Sequence, residues 1–201
     1  KKNFKTNRNN NIYPIQLGGD FKKIYKVNKK KITDIRFLMV GTLEPRKGHV
    51  DIIKAIYFLK KDFNIDVRLD IVGNLGWKYD KILESIEYTN SKGLKVFLHT
   101  GVNDKELSEF YSKSSAIIAA SYDEGFGLPI MEAFFYKKKV IARNIAVFRE
   151  VAKNQAFYFP NKSSPRVISK YLYLWIKKKN KSKLKLKKIN FISWKRTANQ
   201  I

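Results

Sequence analysis

Residues 35–61 read IRFLMVGTLEPRKGHVDIIKAIYFLKK. The run 35–40 is rich in large apolar side chains and closes on Gly41, which is the pattern of a buried strand. From Gly48 to about Lys61 the apolar residues Ile52, Ile53, Ile56 and Leu59 recur at helical spacing. The stretch is therefore strand, loop, helix, and the chain repeats the unit. Residues 67–72 (VRLDIV) end on Gly73 and precede a helical face of Tyr79, Ile82, Leu83 and Ile86. Residues 95–99 form a third strand. Asn103 and Glu106 stand at capping-box spacing before a helix that turns Leu107, Phe110 and Tyr111 inward. Residues 116–120 (AIIAA) make a fourth strand, Pro129 opens the next helix, and 139–142 (KVIA) make a fifth strand. Ser164 then caps a helix with Pro165 in its first turn and a stripe of Ile168, Tyr171, Leu172, Trp175 and Ile176 that docks on the body. Five or six strands alternating with helices predict an α/β fold with a Rossmann-like, doubly wound, mostly parallel sheet. Ligands of such sheets bind outside the carboxyl ends of the strands, which selects the loops 41–48, 73–76, 100–103 and 121–128.

Composition narrows the classes. The 201 residues, 44% of them hydrophobic, suffice for one globular domain with a real core and exclude disorder as the overall state. Cysteine is absent, which removes disulfides, thiolate nucleophiles and Cys-ligated zinc together. The longest stretch without a charge, 9–19, has eleven residues, short of the roughly 18 to 20 of a membrane span. Lys1 is followed by no apolar targeting segment, so the expectation is an excerpt of a longer chain. Net charge is +25. A charge of this size points first to nucleic acid or an anionic membrane. Its distribution weakens the nucleic-acid reading: residues 1–34 hold ten bases against two acids and 162–201 hold thirteen against none, leaving 19 against 15 in between. No aromatic-basic interleaving of an RNA module is present, so no nucleic-acid partner is expected. The division expected is a basic linker or inter-domain segment at 1–34, a ligand-binding α/β domain at 35–178, and a Lys-rich segment with a closing helix at 179–201.

Two loops carry distinctive chemistry. In GTLEPRKGH, residues 41–49, Arg46 and Lys47 arrive at the start of a helix, whose N–H groups and partial positive charge suit an anion. The bland reading is a surface turn with two solvated cations. Neither a GxGxxG nor a GxxxxGK[ST] spacing occurs, so those nucleotide classes lose weight. In SYDEGFGLPIMEA, residues 121–133, Gly125 and Gly127 allow close backbone approach, and the carboxylates of Glu124 and Glu132 bracket the turn, the second near the first turn of the helix. Carboxylates accept hydrogen bonds from hydroxyls, and the turn between them offers phosphate donors. That arrangement suits a nucleotide sugar. The bland reading makes Glu132 a helix-dipole partner and Glu124 a turn residue.

The succession FLMVGTLEPRKGH, LDIVGNLGW and IIAASYDEGFGLPIMEAFFYKKKVIARNIAVFREV resembles the C-terminal, donor-binding half of retaining glycosyltransferases of family 4, which have the GT-B fold. Fainter echoes lie at 15–21 (IQLGGDF), like the segment leaving an N-terminal domain, and at 193–201, like a closing helix. The resemblance implies that Glu124 contacts the donor sugar, that Glu132 holds the ribose hydroxyls, and that Arg46 and Lys47 meet the diphosphate as catalytic cations alongside Glu124. It implies substrate-binding roles for Gly41, Thr42, Gly73, Asn74, Thr100 and Gly101 around the nucleotide and for the backbone of Phe126, Gly127 and Leu128 at phosphates and sugar. It also implies a hexose donor carried on GDP or UDP, no cofactor and no essential metal. Thr42 stands where many members carry a second phosphate-binding Arg, which leaves either Arg46 in that role or a weaker diphosphate site. The wording of VGTLEPRKGH and IARNIAVFREV is most similar to bacterial mannosyltransferases of O-antigen and capsule assembly.

The implied activity is hexose transfer, with mannose as the narrower option, to a growing glycan or a lipid-linked acceptor. It needs an N-terminal GT-B domain in cis or in trans. The implied location is cytoplasmic, with the Lys-rich end leaning on the anionic inner face of the membrane or, as plainly, forming a solvated face. Alternatives are a non-catalytic nucleotide-sugar-binding subunit and a sugar-nucleotide epimerase-like domain. His49, beside Lys47, is a candidate helper at the phosphate, and His99 a core or rim residue.

Overall fold

The computed structural model describes residues 34–179 and 198–199. The first set belongs to one compact unit, and Ala198 and Asn199 to another. The expected linker, the echoes at 15–21 and 193–201 and nearly all of the Lys-rich end lie outside the described residues.

Six strands form the sheet: β1 (Arg36–Val40), β2 (Arg68–Val72), β3 (Lys95–His99), β4 (Ala116–Ala119), β5 (Lys139–Arg143) and β6 (Ala156–Phe159). Between them run α1 (His49–Phe63), α2 (Asp80–Ser91), α3 (Asp104–Lys113), α4 (Leu128–Phe135) and α5 (Ala146–Ala152), and α6 (Pro165–Lys179) follows β6. The order is β3-β2-β1-β4-β5-β6, with every pairing parallel, Phe37 opposite Leu69 and Leu69 opposite Val96. This is the doubly wound order of dinucleotide-binding sheets. Strands added in one direction as far as β3 and in the other from β4 onward, by right-handed crossovers, place their helices on opposite faces. Accordingly α1 packs on α2 and α6, while α4 packs on α5, β4 and β5. The direction reverses between β1 and β4, so the loops after these two strands face one crevice.

The elements follow the local chemistry. Central strands such as β4 are buried along their whole length, as parallel strands covered on both faces must be. The Asn103 side chain accepts from the N–H groups of Lys105 and Glu106 at 3.0 Å, while Glu106 Oε2 accepts from the Asn103 N–H at 2.9 Å, completing the capping box. Ile168, Leu172, Trp175 and Ile176 of α6 are buried, and Trp175 meets Phe37 edge-on at 5.6 Å.

Several local expectations change. In α3 the buried side chains are Ser108 and Tyr111, whereas Leu107 and Phe110 are half-buried. Phe110 lies against the His99 ring at 4.4 Å rather than in the core. Pro129 is the second residue of α4, after Leu128. Strand β5 continues to Arg143, whose side chain is fully buried. No helix among the described residues is long and apolar enough to cross a membrane.

Candidate functional site

The loops after the first three strands are laced together by backbone hydrogen bonds. Gly41 N–H donates to Val72 O (3.0 Å), Leu43 N–H to Asn74 O (2.9 Å) and Gly73 N–H to His99 O (3.0 Å). Gly101 N–H donates to the Asn74 side chain at 3.2 Å. Gly41, Thr42, Gly73, Asn74 and Gly101, with Thr100 beside it, thus form one continuous rim at the carboxyl edge of the sheet.

Across the reversal point stand the charged residues. Pro45–Lys47 makes a single 3₁₀ turn, which Gly48 ends with φ of 71° before opening α1. A Cβ on Gly48 would lie 2.3 Å from the carbonyl oxygen of Ala120, so both its backbone angle and its neighbour demand glycine. This close approach brings the turn after β1 against the loop after β4. Tyr122 N–H donates to Arg46 O at 2.8 Å and locks the two together. The result is an ion cluster: Lys47 Nζ lies 2.7 and 3.0 Å from the two oxygens of Glu124, and Arg46 Nη1 lies 3.4 Å from Glu124 Oε2. Arg46 Nη2 pairs with the buried Glu44 at 2.7 Å, and Trp77 Nε1 donates to the other Glu44 oxygen at 2.8 Å. Two cations therefore face two carboxylates. Gly127, with φ of 87°, opens α4, and neither α1 nor α4 has a side-chain cap. The N-terminal N–H groups of both helices are thus left to other acceptors at this edge. Phe126 is half-buried and Leu128 exposed on the rim.

The space around Lys47 and Glu124 is only about 20 Å³, and the ion pair lies on its wall. A larger cavity of about 620 Å³ lies on the sheet beside α3 and opens at Thr100 and Gly101. The chemistry-bearing side chains are at the smaller one. The larger is lined by Asp70, which takes Arg68 at 2.7 Å and the His99 ring at 2.8 Å, and by Arg36, whose buried Nε has no hydrogen-bond partner.

Glu132 has no direct contact with this ion cluster. It occupies the fifth position of α4, directly after the first turn, and accepts a hydrogen bond from Tyr111 Oη at 2.5 Å. Burial pushes its carboxyl above the usual range, and the nearby Asp104 adds to that, against the pull of the Tyr111 hydroxyl. Such a carboxylate, in a half-dry place, suits hydroxyl donors and is poor company for phosphate. His49 is buried, and burial lowers its pKa to about 4. It is a neutral imidazole at pH 7, so any part it plays at a phosphate is that of a neutral hydrogen-bond donor. Glu44, Trp77 and Arg143 escaped the sequence reading. Glu44 sits three residues before Lys47 in the quoted turn, but nothing local reveals that its carboxylate is buried against Trp77.

Basic side chains and two helix starts stand at the reversal point of a doubly wound sheet, bordered by carboxylates, which is the architecture of an α/β protein of the nucleotide-binding kind. The chain belongs to the glycosyl transferases of group 1, whose family model matches residues 20–190. It is 38% identical over 163 residues to the serotype-specific mannosyltransferase WbdA of Escherichia coli, a match covering 81% of this chain and 20% of that one. It is 32% identical over 130 residues to the O-antigen chain mannosyltransferase RfbU of Salmonella typhimurium, covering 65% and 35%. The chain thus spans about a fifth to a third of these relatives. Among solved structures, the C-terminal domain of the group 1 glycosyl transferase LpcC from Francisella tularensis superposes with a TM-score of 0.66 at 23% identity, covering 81% of this chain and 90% of that one. That similarity shows the fold, and the expected Rossmann-like architecture, that of the C-terminal half of a GT-B protein, is present.

Proposed function

We propose that this chain is the donor domain of a retaining hexosyltransferase that moves mannose from a nucleoside-diphosphate sugar, GDP- or UDP-linked, to a growing glycan or lipid-linked acceptor. The observation that carries the reading is the meeting of Lys47 and Arg46 with Glu124 at the reversal point of the sheet. The mannosyltransferase relatives support the choice of sugar. Lys47, Arg46 and the α1 and α4 starts neutralise charge building on the departing diphosphate, with no metal ion required. Glu124 orients the sugar and Glu132 receives the ribose hydroxyls. Gly41, Thr42, Gly73, Asn74, Thr100, Gly101, Phe126, Gly127 and Leu128 border the ligand. Catalysis also needs a second α/β domain, in cis or in trans, to supply the acceptor site and exclude water. We place the activity on the cytoplasmic side, with the Lys-rich end against anionic lipid.

Calorimetric titration of GDP, UDP and their hexose conjugates into the chain tests this. Lys47→Ala and Glu132→Ala, each shown to be folded, should weaken binding at least tenfold, and unchanged affinity in both refutes the site. Binding that persists in EDTA supports the metal-free assignment, and loss of binding on chelation overturns it.

A further inference from the structure

Arg143 closes β5 with a fully buried guanidinium, although none of the roles above uses it. Each of its nitrogens has a partner. Nε donates to the Ala120 carbonyl at 2.8 Å, Nη1 to the carbonyl of Asn161, and Nη2 to Asp51 Oδ2 at 2.6 Å. The Tyr122 ring lies 3.9 Å from the guanidinium carbon, and the Phe159 ring lies 5.2 Å from it. The Tyr122 hydroxyl donates to the same Asp51 oxygen at 2.5 Å. Four segments thus meet on one planar cation: the end of β4, the first turn of α1, β5 itself and the chain after β6.

A buried charge with a partner on each of its three nitrogens is worth little as bulk stability, because desolvation offsets most of the attraction. Its value lies in geometry. Ala120 and Tyr122 are the root of the loop that carries Glu124. Arg143 fixes the Ala120 carbonyl, stacks the Tyr122 ring and holds Asp51, which holds the Tyr122 hydroxyl. Arg46 O then takes the Tyr122 N–H. We propose that Arg143 is a positioning residue for the donor sugar, a latch that sets where Glu124 stands relative to Lys47. The inference rests on the donor-domain reading and adds to it. Only a planar fork fits: lysine keeps the charge but has one nitrogen for three acceptors, and no flat face for Tyr122.

The test compares the affinity of the chain for GDP-mannose and UDP-glucose with that for GDP and UDP, in wild type, Arg143→Lys and Tyr122→Phe. Circular dichroism and melting confirm folding. The latch acts on the Glu124 loop and does not touch Lys47. Arg143→Lys should therefore weaken the sugar nucleotides about tenfold and leave the plain diphosphates, which lose a competitor for Lys47, bound as tightly as in wild type or more tightly. Tyr122→Phe keeps the stacked ring and loses the Asp51 bond, so it should shift the same ratio by a smaller factor. Its hydroxyl is on the rim, so this variant stays informative if Arg143→Lys fails to fold. Equal losses for both ligand types, or none, overturn the positioning role and leave Arg143 as a structural anchor. A wild-type chain that binds none of the four ligands overturns the donor-domain reading itself.

Discussion

Replacing Glu124 by Gln should tighten the binding of a plain nucleoside diphosphate while weakening preference for the sugar-bearing form. Without ligand, Lys47 Nζ sits 2.7 Å from Glu124 Oε2, and both side chains are little exposed, 14% and 13%. A phosphate oxygen that takes over Lys47 at a similar distance stands roughly 5 Å from the Glu124 carboxylate; their repulsion is about 3 kcal/mol at an effective dielectric of 20 and below about 1 kcal/mol in water. A value of about 2 kcal/mol between these limits corresponds to roughly thirtyfold in affinity. Glutamine removes the charge while keeping the shape and one acceptor. Isothermal titration should accordingly show GDP or UDP binding about ten to a hundred times more tightly to Glu124→Gln than to wild type, with the gap narrowing as salt is raised. GDP-mannose should gain less, because its hydroxyls lose a charged acceptor worth about 1 kcal/mol. A variant that is folded yet binds GDP and UDP no better than wild type refutes the idea that Glu124 competes with the diphosphate for Lys47.

Three further outcomes follow from the geometry. Gly48→Ala forces a Cβ against the Ala120 carbonyl at a positive φ and should cost more than about 2 kcal/mol, measured by urea unfolding. Burial depresses His49 from 6.5 to about 4, so its stabilising contribution is complete above pH 6.5 and is lost as pH falls towards 4; about 2 kcal/mol should be gone at pH 5, and His49→Gln should abolish that part of the pH profile. Glu132 is displaced upward from 4.5, so its contribution is present below pH 4.5 and lost as pH rises through its folded value; Glu132→Gln should stabilise the chain at pH 7, and that gain should vanish at pH 4.

The architecture was largely legible because strands buried on both faces leave uninterrupted apolar runs, as in 37–40 and 116–120, and because Gly48 and Asn103 mark helix starts by their own conformational chemistry. The pairing of Lys47 with Glu124 was legible only through the topology, since 77 residues separate them and no local pattern links one to the other. Three features were hidden. Arg143 looks like an exposed strand end in sequence, and its burial depends on carbonyls at 120 and 161 and a carboxylate at 51. Phe110 has the spacing of a core residue, yet it lies half-buried on the wall of a cavity, against the His99 ring. Glu124 and Glu132 look equivalent as two carboxylates around one turn, but their surroundings differ: two cations at the first, a tyrosine hydroxyl and a nearby acid at the second.

That difference bears on Thr42, the place where the resemblance calls for a second phosphate-binding Arg. Under the donor-domain proposal, Arg46 of the neighbouring turn takes that place instead. Arg46 is held at Glu44 and Glu124 simultaneously, and Trp77 steadies Glu44 from the opposite side. A guanidinium fixed this way is pre-organised, so little rotamer freedom remains to be lost when a phosphate arrives. It is also neutralised, which a free Arg at position 42 would not be. The large net charge of the chain therefore says little about the strength of the site. Within the crevice Arg46 and Lys47 are balanced by Glu44 and Glu124, and a diphosphate gains from the two cations only to the extent that it displaces Glu124, the carboxylate assigned to the sugar. A ligand that brings both groups, phosphate for the cations and hydroxyls for the released carboxylate, satisfies all partners at once, whereas a bare phosphate leaves Glu124 facing a like charge.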